Sequence, residues 1–435
     1  MALLGDKEVH GAWSSPLREV ERSAQERAKA ADLDMSTPGA RERLREMVID
    51  EVAAWRDQFR KGLRPVDIAD PDGAVERALR NLAGYGPLEP LLADPDVWEI
   101  MINGPGAIFT KRHTGAGGYH HEVFHDDDHV GRVLTKILDD SNRSHRKLDP
   151  AEGLQDAQLD SGARIHIVHS DVGRDGHLLV NIRKFSGVAH RSVAELISTD
   201  MLDQATARFL VACVRAGLSF LIAGAPGSGK TTMLTCLAAE LDPSLRVVVA
   251  EEVFETDIPL PNVAHMQTRP ARADRKEVDL RRLVAGFLRM APDVAIVGEV
   301  RDQEALPLLL TLSSGVQGFT TIHAGSARQA LSRLRFICQL APTGSELTVS
   351  ALSALVSEAV DVVVHCSRHG GRLQVAEVLT VEDLQVAAGM VAFTTTTVFA
   401  RGRLGEPLRW TGNLPVRAAR ALELAGYELR SLVGT

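Results

Sequence analysis

Gly224-Ala225-Pro226-Gly227-Ser228-Gly229-Lys230-Thr231 fits the pattern GxxxxGK[ST] at every fixed position, and that spacing suits the grip of a nucleoside triphosphate. Glycines let backbone N–H groups turn toward phosphate oxygens, and the N-terminus of a following helix adds partial positive charge. Lys230 would reach the outer phosphates, the Thr231 hydroxyl would ligate magnesium, and Thr232 continues the loop into the helix. A chance glycine-rich turn is the competing reading. The context weighs against it: Leu218 to Ala223 reads as a buried strand and Thr231 to Leu241 as a helix, the setting this loop needs.

A phosphate grip alone hydrolyses nothing, because metal and water must also be placed at the terminal phosphate. Arg246 to Ala250 reads as a strand that ends in Glu251-Glu252-Val253-Phe254-Glu255, which puts carboxylates at a strand's C-terminal edge. Glu255 is the first choice for magnesium, through water, with Glu251 beside it; a solvated acidic loop is the alternative. Val294 to Val297 is a second apolar strand, and Glu299 just beyond it is the leading candidate to orient water and to face the metal. Glu299 could instead simply pair with Arg301. A third strand, Phe319 to His323, ends in a histidine that is either part of the same edge or structural.

These edges need a parallel sheet. From about residue 200 strands and helices alternate, with helices over Leu202–Ala216, Asp279–Met290, Gln303–Ser313 and Ala327–Leu340, and this implies an α/β doubly wound sheet. Beyond a helix at Glu346–Ala359, three short strands read as an added tail. Upstream, residues 81–190 alternate in short strands (Trp98–Ile102, Ala107–Lys111, Arg164–His169, Leu178–Phe185) around a helix near Val130–Leu138, an α+β domain. A linker near Ser186–Thr199 joins the two. Residues 1–80 read as a helical appendage with helices at Arg18–Ala30 and Arg41–Gly62, leaving 191–435 for the nucleotide domain and its extension.

Composition bounds the rest. The 435 residues carry 49 Lys plus Arg against 57 Asp plus Glu, a net charge of −8, so no basic body is offered to nucleic acid. Cys213, Cys236, Cys338 and Cys366 are widely spaced, which favours neither a disulfide framework nor a zinc site and suits a reducing cytoplasm. The start of the chain lacks a secretory pattern, and the two uncharged stretches, 305–327 and 384–400, are too polar to span a bilayer. Membrane association is therefore expected only through partners.

The elements in this order resemble the secretion ATPase superfamily of type II secretion, type IV pili, type IV secretion and Tad pili. Its Walker A, Asp box, Walker B and His box correspond to Gly224–Thr231, Glu251–Glu255, Gly298–Asp302 and Gly318–His323. Tyr85-Gly86-Pro87-Leu88-Glu89-Pro90-Leu91-Leu92, Trp98-Glu99-Ile100-Met101-Ile102-Asn103-Gly104 and Ile182-Arg183-Lys184-Phe185 resemble the N-terminal segments of the CpaF/TadA-type motors of Tad (Flp) pili. The resemblance implies a RecA-like ATPase domain using ATP and Mg2+, a cytoplasmic homo-oligomer read as a hexamer, and inner-membrane platform proteins as partners. By position it implies that Arg164 and Arg183 match the family's phosphate-side arginines and that Arg269 matches a further family arginine that binds the nucleotide. Two departures stand out: Glu252 where the family has Asp, and Ser314-Gly315-Val316 where it has Thr-Gly-His.

The leading expectation is thus an ATP-hydrolysing motor for Tad pilus assembly or type II-like secretion. A type IV secretion or conjugation motor shares the same chemistry and is the nearest alternative. A DNA-stimulated motor and a nucleotide-gated scaffold are the other classes.

Overall fold

The computed structural model describes residues 15–35, 37–112, 117–141, 147–184, 190–269, 271, 276–341, 347–387 and 390–433. Phe185, residues 186–189 of the expected linker, Pro270 and Glu346 lie outside them. The chain divides into two compact units, Met1–Ser186 and Gly187–Thr435.

In the first unit, helices Pro16–Ala30, Ala40–Arg60 and Pro71–Ala83 share a small core of Val20, Leu44, Val48, Trp55, Val75 and Leu79. The third was not read as a helix from sequence, although its start is well marked: Asp70 caps it by accepting from Gly73 N–H, and Pro71 occupies the first turn, where no donor is needed.

Six antiparallel strands follow: β1 (Val97–Ile102), β2 (Ile108–Arg112), β3 (Gly118–Tyr119), β4 (Leu154–Gln158), β5 (Arg164–Val168) and β6 (Leu179–Arg183), in the order β3-β2-β1-β6-β5-β4. Alternation sorts their faces. Ile100, Ile102, Ile165, Ile167, Val180 and Ile182 share a core with Val130, Val133, Leu134 and Ile137 of helix Asp127–Asp139. The opposite face carries Arg164, Arg183 and Glu99, together with Met101 and Phe109.

The second unit holds one sheet of nine strands: β7 (Phe220–Gly224), β8 (Val247–Glu251), β9 (Val263–Gln267), β10 (Val294–Val297), β11 (Gln317–Ile322), β12 (Val362–His369), β13 (Arg372–Ala387), β14 (Met390–Ala400) and β15 (Arg409–Trp410). Their order is β15-β14-β13-β12-β7-β11-β10-β8-β9, parallel from β12 to β9 and antiparallel from β12 to β15.

The apolar runs read from sequence are strands buried on both faces. Phe220, Ile222, Val247, Val249, Val294 and Ile296 enter one core, while Leu221, Ala223, Val248, Ala250, Ala295 and Val297 enter the other. Each such buried Val, Leu, Ile or Phe contributes about 1.5–3 kcal/mol of transfer free energy. Helices Gln204–Arg215 and Lys230–Ala238 cover the first face; Leu280–Ala285, Ala305–Leu312, Ala327–Leu340 and Val349–Ala359 cover the second. This is the doubly wound, RecA-like fold.

Two expectations need correction. The linker contains a helix, Val193–Ser198, opened by a reciprocal cap in which Ser192 Oγ accepts from Glu195 N–H and Glu195 accepts from Arg191 N–H. The tail is no add-on: β13 to β15 extend the sheet, and Leu422, Leu429 and Val433 from two terminal helices enter the first core. Arg417 pins that end by pairing with Asp361 at 2.7 Å, while Asp361 accepts from Ser219 N–H at the foot of β7.

Candidate nucleotide site

Parallel register gathers the site at one edge. Val297 of β10 pairs with Thr320 of β11, and Ile322 of β11 pairs with Ala223 of β7, so Glu299, His323 and the loop after Gly224 all leave the sheet at the same end.

The loop is shaped for close backbone turns. Gly224 has φ +155 and Gly229 φ +87, and a Cβ on Gly224 would collide with the Cys366 carbonyl and with Ser228 Oγ. Lys230, only 7% exposed, donates from Nζ to Ala225 O at 3.1 Å and stands 3.1 Å from His323 Nδ1. Thr231 is half-buried and Thr232 buried in the first turn of the following helix; Ala225 and Pro226 face solvent.

His323 is the hinge of the arrangement. Its Nδ1 also lies 3.3 Å from Gly224 O, and its Nε2 lies 2.8 Å from Glu299 Oε1. Glu299 Oε1 and Ser228 Oγ are both buried, and the contact of Oε1 with His323 is an ion-pair approach. Burial, and then the neighbouring Lys230 charge, lower the His323 pKa from its ordinary 6.5, although Glu299 pulls the other way. The imidazole is therefore neutral at neutral pH.

Arg301 does not pair with Glu299, the alternative left open above; it grips Glu252, with Nε 3.1 Å from Oε1 and a second contact to Oε2. The longer carboxylate at position 252 thus ties the loop after β8 to the loop after β10. Glu304 shapes the latter, accepting from Arg301 N–H at 2.6 Å and Asp302 N–H at 2.9 Å.

Glu251, expected to face a metal, is 2% exposed and turns both oxygens into its own loop. Oε1 accepts from the N–H groups of Glu255 and Thr256, and Oε2 from the Thr256 hydroxyl, each at 3.0 Å. Burial pushes its pKa up to about 7, against the lowering effect of those hydrogen bonds. Glu255 sits half-buried on the loop so formed. Among the described residues no three His, Cys, Asp or Glu side chains converge to cage a cation. The donor set nonetheless fits magnesium held in the usual way, by a hydroxyl, one or two carboxylates, waters and the nucleotide's own phosphates.

Of the three arginines, Arg164 and Arg183 are brought together: they oppose each other on β5 and β6, with Glu99 opposite Arg183 on β1. Arg183 is exposed and Arg164 half-buried. Arg269 lies in the second unit, exposed, bridging to Val278 and donating to Lys276 O at 3.2 Å. Val316, at the position where the family has its first histidine, packs against the second core and carries no polar group.

Sequence reading missed Arg368 of β12, whose Nε donates to Gly227 O at 3.0 Å. No motif marks it. The sole signal was its place two residues beyond Cys366, which pairs with Gly224 at the end of β7.

A phosphate-binding loop between a buried parallel strand and a helix, with a lysine, a neutral histidine and a half-exposed glutamate meeting at the strand ends, defines a P-loop ATPase. The chain belongs to the family described as type II/IV secretion system protein, whose model matches residues 81–405. It is similar to a putative conjugal transfer protein of Mycobacterium tuberculosis, 30% identical over 330 residues that cover 74% of this chain and 90% of that one. The type IV secretion system protein PtlH of Bordetella pertussis is 31% identical over 309 residues, 66% of this chain and 89% of that one. Among solved structures, the VirB11 ATPase of the Brucella suis type IV secretion system is 26% identical, with a TM-score of 0.36, covering 67% of this chain and 94% of that chain.

Proposed function

We propose that this protein is a motor that hydrolyses ATP to drive a type IV secretion or conjugation system. The meeting of Lys230, His323 and Glu299 carries the enzymatic half of that reading. The names of the similar proteins from M. tuberculosis and B. pertussis support the other half, and they favour it over the Tad pilus expected first from sequence. A Tad pilus motor remains the second reading, supported by the segments Tyr85–Leu92 and Trp98–Gly104.

The residues divide the work as follows. Lys230 exchanges its loop carbonyl for phosphate oxygens, and the N–H groups of the loop add to that charge. Thr231 and Glu255 would hold magnesium, which would supply neutralisation of phosphate charge. Glu299, held beside His323, orients the attacking water. His323 couples the two by touching both, and stays neutral so that it does not repel Lys230. Glu251 acts one step back, by shaping the loop that carries Glu255. We assign Arg183 and Arg164 to charge stabilisation at the phosphates by their match to the family, with Arg269 as a further nucleotide-side arginine.

As a motor the protein works as a homo-oligomer, read as a hexamer, at the inner face of the cytoplasmic membrane through platform proteins, without direct nucleic-acid contact. Residues 1–80, 81–190 and 191–435 are its proposed appendage, N-terminal domain and ATPase domain with extension. Among the described residues no helix is long and apolar enough to cross a membrane.

The test is genetic. A deletion strain complemented with the parent gene or with Lys230→Ala is scored for DNA transfer, protein secretion and surface filaments. Loss of transfer or secretion with Lys230→Ala supports the first reading. Loss of filaments alone supports the second, and no loss of any output removes the motor.

A further inference from the structure

The phosphate loop is held from outside by a part of the sheet that the motifs ignore. β12 pairs with β7 only as far as Cys366 and Gly224, yet runs on to His369 beside the loop before turning into β13. From this overhang Arg368 Nε donates to Gly227 O at 3.0 Å, while its Nη1 reaches Gly371 O at 3.4 Å in the hairpin turn. Leu373, at the start of β13, lies against the loop's last glycine, where a Cβ on Gly229 would come within 2.9 Å of its Cδ1.

Gly227 needs such a hold. Its φ of +70 is open to glycine, so the peptide after it can rotate at little steric cost. In a planar trans peptide the C=O of Gly227 and the N–H of Ser228 point in opposite directions. Fixing the carbonyl on Arg368 therefore directs the Ser228 N–H to the side away from Arg368, where it donates to Ala225 O at 3.2 Å. A carbonyl turned inward would present its negative end to phosphate oxygens.

We infer that Arg368 is a positioning residue for nucleotide binding, which sets the Gly227–Ser228 peptide so that the loop meets phosphates with donors. The half-buried guanidinium, its pKa lowered by desolvation, makes a directed, charge-assisted bond instead of a loose surface contact. The inference rests on the reading of the loop as an ATP site.

The full-length chain is tested as parent, Arg368→Gln and Arg368→Lys. ATP affinity is measured by equilibrium titration with a fluorescent ATP analogue, alongside kcat, KM and the thermal midpoint. Arg368→Gln is expected to weaken affinity and raise KM about tenfold or more, with kcat and the midpoint nearly unchanged. Arg368→Lys keeps the charge but loses the directed Nε donor, and is expected to shift KM in the same sense by less; it decides the matter if the glutamine variant does not fold. An unchanged KM with a lowered midpoint overturns the inference and leaves Arg368 as a staple of the hairpin. A parent chain that binds no ATP overturns both this and the reading beneath it, whereas normal parent binding with unaltered variants overturns this alone.

Discussion

Lys230 and His323, 93 residues apart in the chain, meet with Nζ 3.1 Å from Nδ1. One group anchors the phosphate loop and the other ends the strand beside it. Each bears on the other's charge, since a protonated imidazole at this distance would repel the ammonium in a half-buried setting.

That relationship gives a pH dependence. The folded-state pKa of His323 is lowered from 6.5, so its contribution to stability is present above that value and lost as pH falls through the folded pKa. His323→Asn should therefore lose less stability on acidification than the parent. Thermal midpoints of both proteins, measured from neutral pH down to about pH 5, check this; parallel curves would deny the coupling.

Glu251 has the opposite sign. Its folded pKa is raised from 4.5 to about 7, so stability is full below the lower value and is lost as pH rises through the upper one. Glu251→Gln should flatten that loss, because its amide oxygen can still accept from the Glu255 and Thr256 N–H groups. Glu251→Ala leaves three donors without an acceptor and should cost about 2–4 kcal/mol in denaturant unfolding.

Gly224→Ala should destabilise by about 2–5 kcal/mol, from a left-handed backbone strained by a Cβ and from collision with the Cys366 carbonyl. Chemical denaturation measures it; a neutral substitution would mean that the β7–β12 edge yields easily.

Lys230→Ala should bind ATP at least about tenfold more weakly while folding normally, as isothermal titration and circular dichroism would show. Retained affinity would move the phosphates elsewhere.

Much of this was legible because the chemistry sits where parallel strands end. An apolar run followed by Glu299 or His323 reads directly from sequence, and the sheet then brings the two residues together. Three things were hidden. Arg368 lies on an overhanging strand whose register depends on the whole sheet, so no local spacing marks it. Glu251 reads as a metal ligand from sequence, and its hydrogen bonds to its own loop show only in the fold. The helix Val193–Ser198 was read as linker although Ser192 and Glu195 spell a cap, because its six residues are too few to show a period.

The central claim is that Glu299, beside His323 and Lys230, completes an ATP-hydrolysing site. Magnesium-dependent phosphate release per protomer, followed across protein concentration for the parent and Glu299→Gln, tests it most directly. The parent should hydrolyse ATP at a rate that rises with concentration, and Glu299→Gln should bind ATP yet turn over at least about 100-fold more slowly. Turnover by Glu299→Gln at the parent's rate would contradict the account.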